Sequence, residues 1–529
     1  MKVTRFLSLL SFRAMAIGLA LGFVGVLYSA WVQAAPPLPR GTFIIGQDYD
    51  FSSIDPSKAN AGPQLVVTHA ALVQTNFYDY RHMPDLAASW SVLSPTAWKF
   101  NIRKGVTFHN GQPLTSADVQ YSFYRQMGKL NPRFPGANRP TWQKLVDRIE
   151  TPDDHTMILH TKSPDAALLS VIRWMFIVPK VYIEKVGDDA FSQMPVGTGP
   201  YVIKERKIGE FLTLEAYPDY WNVNPEKGTR GHGKVKTIIL RSMPKEQTRV
   251  AALRAGEIQG TGISQDTVQT FENDKNFNVY YSPINQSLFL MFNWREEKDP
   301  KTGEPNPLTD VRVRRALNHA VDVNALIKNY LTGREYRTTL LGKDGIGFNP
   351  KVPFYAYDPE KAKKLLAEAG YAKGFKTTFF TAQDMPPYTG ALLQYLRDVG
   401  LQIEIKQTTP AVAMTNMSNK SLYGMLLWGG GLGGPDPAAT FFKTCISYDG
   451  NWAVHGRNDQ VEDLVQKQMV EFNEAKRAKL IDDVIQILWR DAWFVPLFEP
   501  VFIKVASANW NYSNPPASAN FNMTEISPK

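Results

Sequence analysis

The chain has 529 residues, more than one hydrophobic core usually accommodates, so we expect two or three lobes. Its hydrophobic content of 43% and charged content of 21% are typical of a soluble globular protein. The formal net charge is +9, but the basic residues are dispersed and form no stripe with interleaved aromatics, so we expect no nucleic-acid partner.

The N-terminal segment has the pattern of an export signal. Lys2 and Arg5 precede an apolar region that resumes over Ala14–Leu27 and ends in small residues, with cleavage expected after Ala34. We therefore predict a signal peptide over 1–34 and a periplasmic mature protein. A retained membrane anchor is the alternative, because the apolar run approaches the minimum length of a spanning helix.

Local signals along the chain predict strands alternating with helices and no internal repeat, which is the pattern of mixed α/β lobes. Helix ends are marked by capping residues and strands by short apolar runs next to turn residues. In chain order we first predict a strand at 42–46, a helix capped by Thr115 with Asp118 completing a capping box, and a hairpin over 146–161. An exposed loop is predicted at 295–310, followed by a helix with apolar positions from Val313 to Val321. A further helix is predicted to begin at Pro359, after the cap Asp358, and to end at Gly370.

The sequence contains no recognisable catalytic or metal-binding motif. The single cysteine, Cys445, allows no intrachain disulfide and no lipid on a processed N-terminal cysteine, so we do not expect a lipoprotein. The eight histidines form neither an H-E-x-x-H pair nor a Cys/His cluster, so we expect no cofactor and no metal site. A nucleophile-elbow pattern is missing, and the near-match to a phosphate loop at 228–235 has Val235 where a hydroxyl is needed.

A glycine-rich stretch, LWGGGLGGPDPAATFF, occupies residues 427–442. Glycine permits a positive φ or the close approach of another group, and both occur beside bound ligands. The stretch therefore predicts either a ligand-contacting loop or a surface turn.

Six segments, taken together and in order, resemble one family: the periplasmic solute-binding proteins of ABC importers, in the group that binds peptides, nickel chelates and related solutes. The resemblance extends from about residue 40 to 510. The segments lie at 83–123, 195–201 (PVGTGPY), 220–259, 310–322, 357–371 and 491–505.

This resemblance implies an α/β, two-lobed periplasmic-binding-protein fold with hinge strands and an extra subdomain inserted in the first lobe. The first lobe is expected at 41–72, 195–287 and 501–529, the inserted subdomain at 73–194, and the second lobe at 288–500. Such a protein closes around solute by a hinge motion.

The resemblance also implies a function. The protein would capture a peptide or related small organic solute in the interlobe cleft and deliver it, as a monomer, to the ABC permease and ATPase complex at the inner membrane, without being an enzyme. A nickel or metal-chelate cargo is the alternative within the family. A secreted hydrolase, or a binding protein that presents solute to a signalling receptor, would belong to a different class.

Ligand contacts implied by the family come from two places. In the second lobe they are Trp428, as a stacking wall, and the adjoining Gly430, Gly431 and Asp436. In the first lobe they are Phe51 and Ser52, whose segment contacts ligand largely through its backbone.

Two positions depart from the peptide-binding branch. The residue three after the tryptophan is commonly an aspartate that pairs with the peptide's α-ammonium, and here it is Gly431. Oligopeptide binders carry an arginine three residues before the tryptophan, where this chain has Met425. Because an ammonium group is costly to desolvate without a partner, the identity of the cargo stays open.

Overall fold

A computed structural model describes residues 40–58, 62–134, 136, 139–283, 287–300, 302–381, 385–429, 436–437, 441–515 and 521–529. The predicted signal peptide, 1–34, lies outside these residues. Within them, no helix combines the length and the apolar character that a bilayer crossing requires.

A seven-stranded mixed sheet forms the first core. The strand predicted at 42–46 is confirmed as Arg40–Gln47, and it lies centrally, parallel to both of its neighbours. Phe43, Ile45 and Leu240 are buried in the cluster on this sheet, as expected for strands covered on both faces. The strands, in spatial order, are Phe277–Pro283, Val501–Ser507, Gly260–Ile263, Arg40–Gln47, Val235–Ser242, Phe211–Ala216 and Tyr201–Lys207.

A four-stranded antiparallel sheet carries a second core. The predicted hairpin is confirmed: Val146–Asp153 pairs with Thr156–Thr161. The predicted helix start is also confirmed, since the backbone N–H of Thr115 donates to Asp118 Oδ2 at 2.9 Å. The strands, in spatial order, are Ala87–Ser94, Ala97–Ile102, Thr156–Thr161 and Val146–Asp153. We call this sheet and its packed helices, Ser116–Gln126 and Leu168–Ile172, the four-stranded region.

A five-stranded mixed sheet organises the third core. Its strand Phe289–Phe292 is completely buried, with Phe289 and Met291 in one apolar cluster and Leu290 and Phe292 in another. That division follows the alternation of side chains along a strand covered by helices on both faces. The strands, in spatial order, are Gln402–Gln407, Lys376–Thr381, Met425–Trp428, Phe289–Phe292 and Val495–Pro496.

Two helices of this third core confirm the predictions made from capping residues and apolar spacing. Asp358 accepts a hydrogen bond from the N–H of Lys361 at the start of helix Pro359–Glu368, and Gly370 just beyond it has a φ of 92°. The helix predicted around Val313 is confirmed as Val311–Ala320.

The remaining elements are shorter pairs of strands and further helices. The strand pairs are Val73–Thr75 with His82–Pro84, Tyr336–Arg337 with Phe498–Glu499, and Trp510–Tyr512 with Ile526–Pro528. The other α-helices of the described residues are Pro63–Thr68, Arg139–Leu145, Lys180–Val186, Asp188–Gln193, Glu246–Arg254, Gln265–Val268, Val323–Tyr330, Pro387–Asp398, Pro410–Ser418, Asp459–Met469 and Glu474–Arg490.

The chain crosses between the seven-stranded and five-stranded sheets at two adjacent places. Strands Phe277–Pro283 and Val501–Ser507 are neighbours in the first sheet, and Phe289–Phe292 and Val495–Pro496 are neighbours in the second. At the crossing, the N–H of Leu288 donates to the Phe498 carbonyl at 2.8 Å. The two cores are therefore joined by a narrow two-stranded connection.

Two buried ion pairs attach the four-stranded region to the seven-stranded core. Arg125 donates to both carboxylate oxygens of Asp55, at 3.0 and 2.7 Å. Burial alone would raise the pKa of Asp55, but the hydrogen bonds and charge of Arg125 lower it overall. Arg230 and Asp85 form a second such pair. Since a buried charge needs a partner, these pairs constrain where the four-stranded region can sit.

We predict that Asp55→Asn destabilises the protein by about 3 kcal/mol, because it leaves the buried Arg125 guanidinium without its bidentate partner. Urea unfolding at pH 7 measures this change. The control is Asp79→Asn, which breaks the exposed ion pair with Arg81 and should leave the unfolding midpoint nearly unchanged. Equal midpoints for the two variants would contradict the structural role of the Asp55–Arg125 pair.

Candidate functional site

Trp428 is the last residue of the strand Met425–Trp428 and directly precedes the glycines of the glycine-rich stretch. Its indole packs edge to face on Trp452, with ring centroids 5.3 Å apart. The side chain is half-buried, and its Nε1 atom is inside the core, next to the buried thiol of Cys445. Because the polar edge of the ring faces inward, what Trp428 offers outward is an apolar aromatic surface. Gly430 and Gly431 lie outside the described residues.

Asp436 is almost completely buried, and its carboxylate is paired. Arg477 donates to both carboxylate oxygens at 2.8 Å, and it also donates to the side chain and backbone of Gln468. A bidentate pair of this kind is strong and geometrically specific. In this structure Asp436 therefore fastens the end of the glycine-rich stretch to helix Glu474–Arg490, instead of presenting a free carboxylate.

Phe51 and Ser52 follow the first strand, and their backbone is fixed by one arginine. Arg206 donates to the carbonyl oxygen of Phe51 at 2.9 Å and to that of Ser52 at 2.6 Å. The Phe51 ring is fully buried against Tyr49, so it offers no surface to a ligand here. Ser52 is exposed, and its N–H donates to Asp50.

His82 belongs to the short strand His82–Pro84 and lies within electrostatic reach of Asp436 and Arg477. His82 Nε2 lies 2.9 Å from Ser170 Oγ, and its Nδ1 is buried with no hydrogen-bond partner among the described residues. Burial lowers the pKa of His82 to about 4, and the positive charges of Arg173 and Arg477 act in the same direction against Asp436. His82 is therefore neutral near pH 7.

Arg173 lies beside His82 and within electrostatic reach of Asp436. Its Nε donates to the Ser170 carbonyl at 3.1 Å, and its Nη1 donates to Thr75 Oγ1 at 2.9 Å. Burial lowers the pKa of Arg173 to about 10, with Asp436 opposing the shift. The residue is nonetheless charged at pH 7, and its side chain is partly exposed.

The four-stranded region contacts the third core close to this group. Lys443 Nζ pairs with Asp165 Oδ2 at 2.7 Å, and the N–H of Ala166 donates to the Met469 carbonyl at 2.8 Å. Helix Leu168–Ile172 and its C-cap Arg173 follow directly from that contact. His82 and Arg173 both lie within electrostatic reach of Asp436.

Sequence reasoning had selected Trp428 and Asp436 on one side of this group but neither His82 nor Arg173 on the other. A signal for Arg173 was present, because it is the single charged residue in the apolar run AALLSVIRWMFIV, 166–178. Charged residues are rarely kept in such runs without a partner or a function. Among the described residues, no three His, Cys, Asp or Glu side chains gather as a metal site would require.

Comparisons with known proteins place this geometry in a family. Residues 82–452 match the family described as bacterial extracellular solute-binding proteins, family 5 Middle. The chain is 26% identical over 472 residues to the dipeptide-binding protein of Escherichia coli K12, covering 83% of this chain and 82% of that one. It is 25% identical over 489 residues to heme-binding protein A of Haemophilus influenzae, covering 85% and 84%.

The fold is similar to solved structures as well. The ABC transporter-associated periplasmic binding protein DppA of Helicobacter pylori, solved in complex with the peptide STSA, superimposes with a TM-score of 0.75 at 24% identity. That match covers 92% of this chain and 98% of the other, and it confirms the predicted two-lobed periplasmic-binding-protein fold. Because the family match spans more than half of the chain, the chain belongs to the bacterial extracellular solute-binding proteins of family 5.

Proposed function

We propose that this protein is the solute-capturing component of an ABC importer, binding a peptide or related small organic solute in the interlobe cleft and delivering it to the membrane permease and ATPase complex. The observation that carries the proposal is the paired crossing between the seven-stranded and five-stranded sheets. A connection of two adjacent strands allows two lobes to rotate about few backbone bonds, which is how a hinge closes around a ligand.

The sheets support the proposed lobe boundaries. We assign 41–72, 195–287 and 501–529 to the first lobe and 288–500 to the second, since the seven-stranded and five-stranded sheets draw their strands from these ranges. Residues 73–194 form the inserted subdomain. Export by a signal peptide cleaved near Ala34, and a monomeric periplasmic state, complete the proposal.

The cleft is proposed to use Trp428 as its apolar wall, together with Gly430, Gly431 and the exposed Ser52. Two of the predicted contacts take supporting roles: Phe51 holds the first-lobe segment in its core, and Asp436 anchors the glycine-rich stretch through Arg477. Peptides are favoured as cargo by the relatives that bind them. An ammonium group on the cargo would need an acidic or hydrogen-bonding partner elsewhere in the cleft, because Asp436 is paired with Arg477 and position 431 is glycine.

We further propose that the protein performs no chemistry. The chain contains a hydroxyl–imidazole pair, Ser170 with His82, of the kind that a hydrolase would need. Such a base must be oriented by a third group and have a pKa near the working pH. Burial holds the pKa of His82 near 4, and its other ring nitrogen has no partner among the described residues, so the pair acts as a structural hydrogen bond.

Freshly purified protein is expected to release a small organic solute when it is denatured. Closed binding proteins retain solute because it stabilises the closed form by mass action. Mass spectrometry of the released fraction identifies the solute, and protein that was unfolded, dialysed and refolded serves as the control. Adding the released fraction back should raise the melting temperature of the refolded protein. No response to this fraction or to a peptide panel would contradict the proposed function.

Replacing the wall residue tests where the solute binds. Trp428→Leu should weaken binding of the released solute roughly tenfold, because buried aromatic contacts dominate ligand affinity. Isothermal titration calorimetry measures the change. The matched control is Trp489→Leu, whose indole packs on Phe354 and Tyr355 and should leave affinity unchanged. Equal affinities for both variants would show that Trp428 is not part of the site.

A further inference from the structure

Lys420 binds the backbone of a loop next to the candidate site. Its ammonium group donates to three carbonyl oxygens, those of Gly450, Asn451 and Ala453, with distances of 3.2 Å to the last two. An ammonium group has three N–H donors, so this loop can occupy all of them. Burial and the positive charge of Arg295 lower the pKa of Lys420, as expected for a group that has exchanged water for carbonyl partners.

The backbone of Lys420 has a conformation that favours glycine. Its φ is 58°, in the left-handed region, two residues after the end of helix Pro410–Ser418. A residue with a side chain is uncommon at such a position. A cation near a helix C-terminus is favourable in general, but an exposed lysine would satisfy that preference equally well. The contact of this side chain with residues 450–453 therefore calls for a further explanation.

Two more charged side chains bind the same loop, residues 447–453, which we call the tryptophan loop. The guanidinium carbon of Arg295 lies 3.7 Å from the ring centroid of Tyr448, and its Nη1 donates to the Tyr448 carbonyl at 2.8 Å. Glu462 accepts hydrogen bonds from Ser447 Oγ at 3.0 Å and from the N–H of Tyr448. Together with the lysine, these side chains fix the loop backbone from three different parts of the third core.

The tryptophan loop carries Trp452, which supports the proposed apolar wall. The backbone N–H of Trp452 donates to the Thr444 carbonyl at 2.8 Å, and the residues on either side of it are those that Lys420 binds. The indole of Trp452 packs edge to face on that of Trp428, with ring centroids 5.3 Å apart. The Nε1 edge of Trp428 faces the buried thiol of Cys445. The orientation of the Trp428 ring is therefore set by its strand and by these two neighbours.

We propose that Lys420 is a positioning residue of the solute site, which fixes Trp452 against Trp428 without contacting the solute. The inference rests on the proposed solute-binding function and extends it to a residue outside the predicted contacts. Because the tryptophan loop engages the three donors of the ammonium group, the lysine has none left for a solute. A wall that is held in its binding orientation beforehand avoids the entropy cost of ordering it when solute binds.

Removal of the ammonium group tests this role. The probes are the solute that mass spectrometry identifies in the released fraction and a hydrophobic dipeptide, Leu-Phe. Lys420→Met keeps most of the side-chain length but has no donors, and it should weaken binding of these probes about fivefold. Isothermal titration calorimetry measures the change. The matched control is Lys467→Met, at an exposed lysine paired with Asp463, which should bind as wild type does.

A spectroscopic signature separates positioning from a general loss of structure. Two indoles this close couple their electronic transitions and give paired positive and negative bands in far-ultraviolet circular dichroism. Trp294 and Trp493 form a second such pair, with ring centroids 5.0 Å apart. Subtracting the spectrum of Trp452→Leu from that of wild type isolates the band of the Trp428–Trp452 pair. Lys420→Met should lose most of this isolated band, and the control variant should keep it.

A double-mutant cycle tests the route by which Lys420 acts. Trp452→Leu alone should also weaken binding of the probes about fivefold, because it removes the support of Trp428. If the lysine acts through Trp452, adding Lys420→Met to Trp452→Leu should weaken binding little further. Lys420→Arg keeps the charge but cannot bring one nitrogen to three carbonyls, so its affinity should lie between those of wild type and Lys420→Met.

The outcomes separate this inference from the proposed function. Wild-type affinity in Lys420→Met, an unchanged isolated band, or additive losses in the double variant overturns the role of Lys420 while leaving solute binding intact. Failure of wild type to bind either probe contradicts the proposed function and the inference with it. Ligand-free melting temperatures close to that of wild type show that lost affinity is not lost folding. If Lys420→Met does not fold, Lys420→Arg is compared with wild type in its place and should show smaller losses of the same kind.

Discussion

The structure depends on the two chain crossings between its principal sheets. They lie side by side, and the N–H of Leu288 and the N–H of Leu497 donate to the carbonyls of Phe498 and Leu288, at 2.8 and 2.9 Å. Each crossing joins a strand that is paired in the seven-stranded sheet to a strand that is paired in the five-stranded sheet. Both ends of each connection are therefore fixed, although few residues join the two cores. Rotation about such a connection can bring side chains of the two lobes together without disturbing either core.

Ion pairs fix the position of the four-stranded region relative to the two-stranded connection. Asp55–Arg125 and Asp85–Arg230 fasten it to the seven-stranded core, and Asp165–Lys443 brings it against the five-stranded region. The proposed cleft is consequently built from residues far apart in sequence.

Sequence reasoning predicted the elements whose signals are local. The capping box of Thr115 with Asp118, the hairpin over 146–161 and the helix after Asp358 each depend on residues within a few positions of one another. The two-lobed fold followed from motifs spread over the chain, and it is confirmed. These features are predictable because backbone capping and strand alternation need no knowledge of distant contacts.

The site was less predictable, since its contacts are long-range. Asp436 was predicted as a ligand contact, but its partner Arg477 lies 41 positions away in sequence and could not be identified from local signals. Phe51 lies in the expected segment, but its ring turns into the core. Arg173 drew no attention in the sequence, although an isolated charge in an apolar run is a usable signal.

The most direct test of this account is a crystal structure of the protein with the solute that it retains on purification. We expect a solute between the lobes, with an apolar part against Trp428 and with Asp436 still paired with Arg477. A solute bound outside the cleft, or one whose only charged contact is to Asp436, would contradict it.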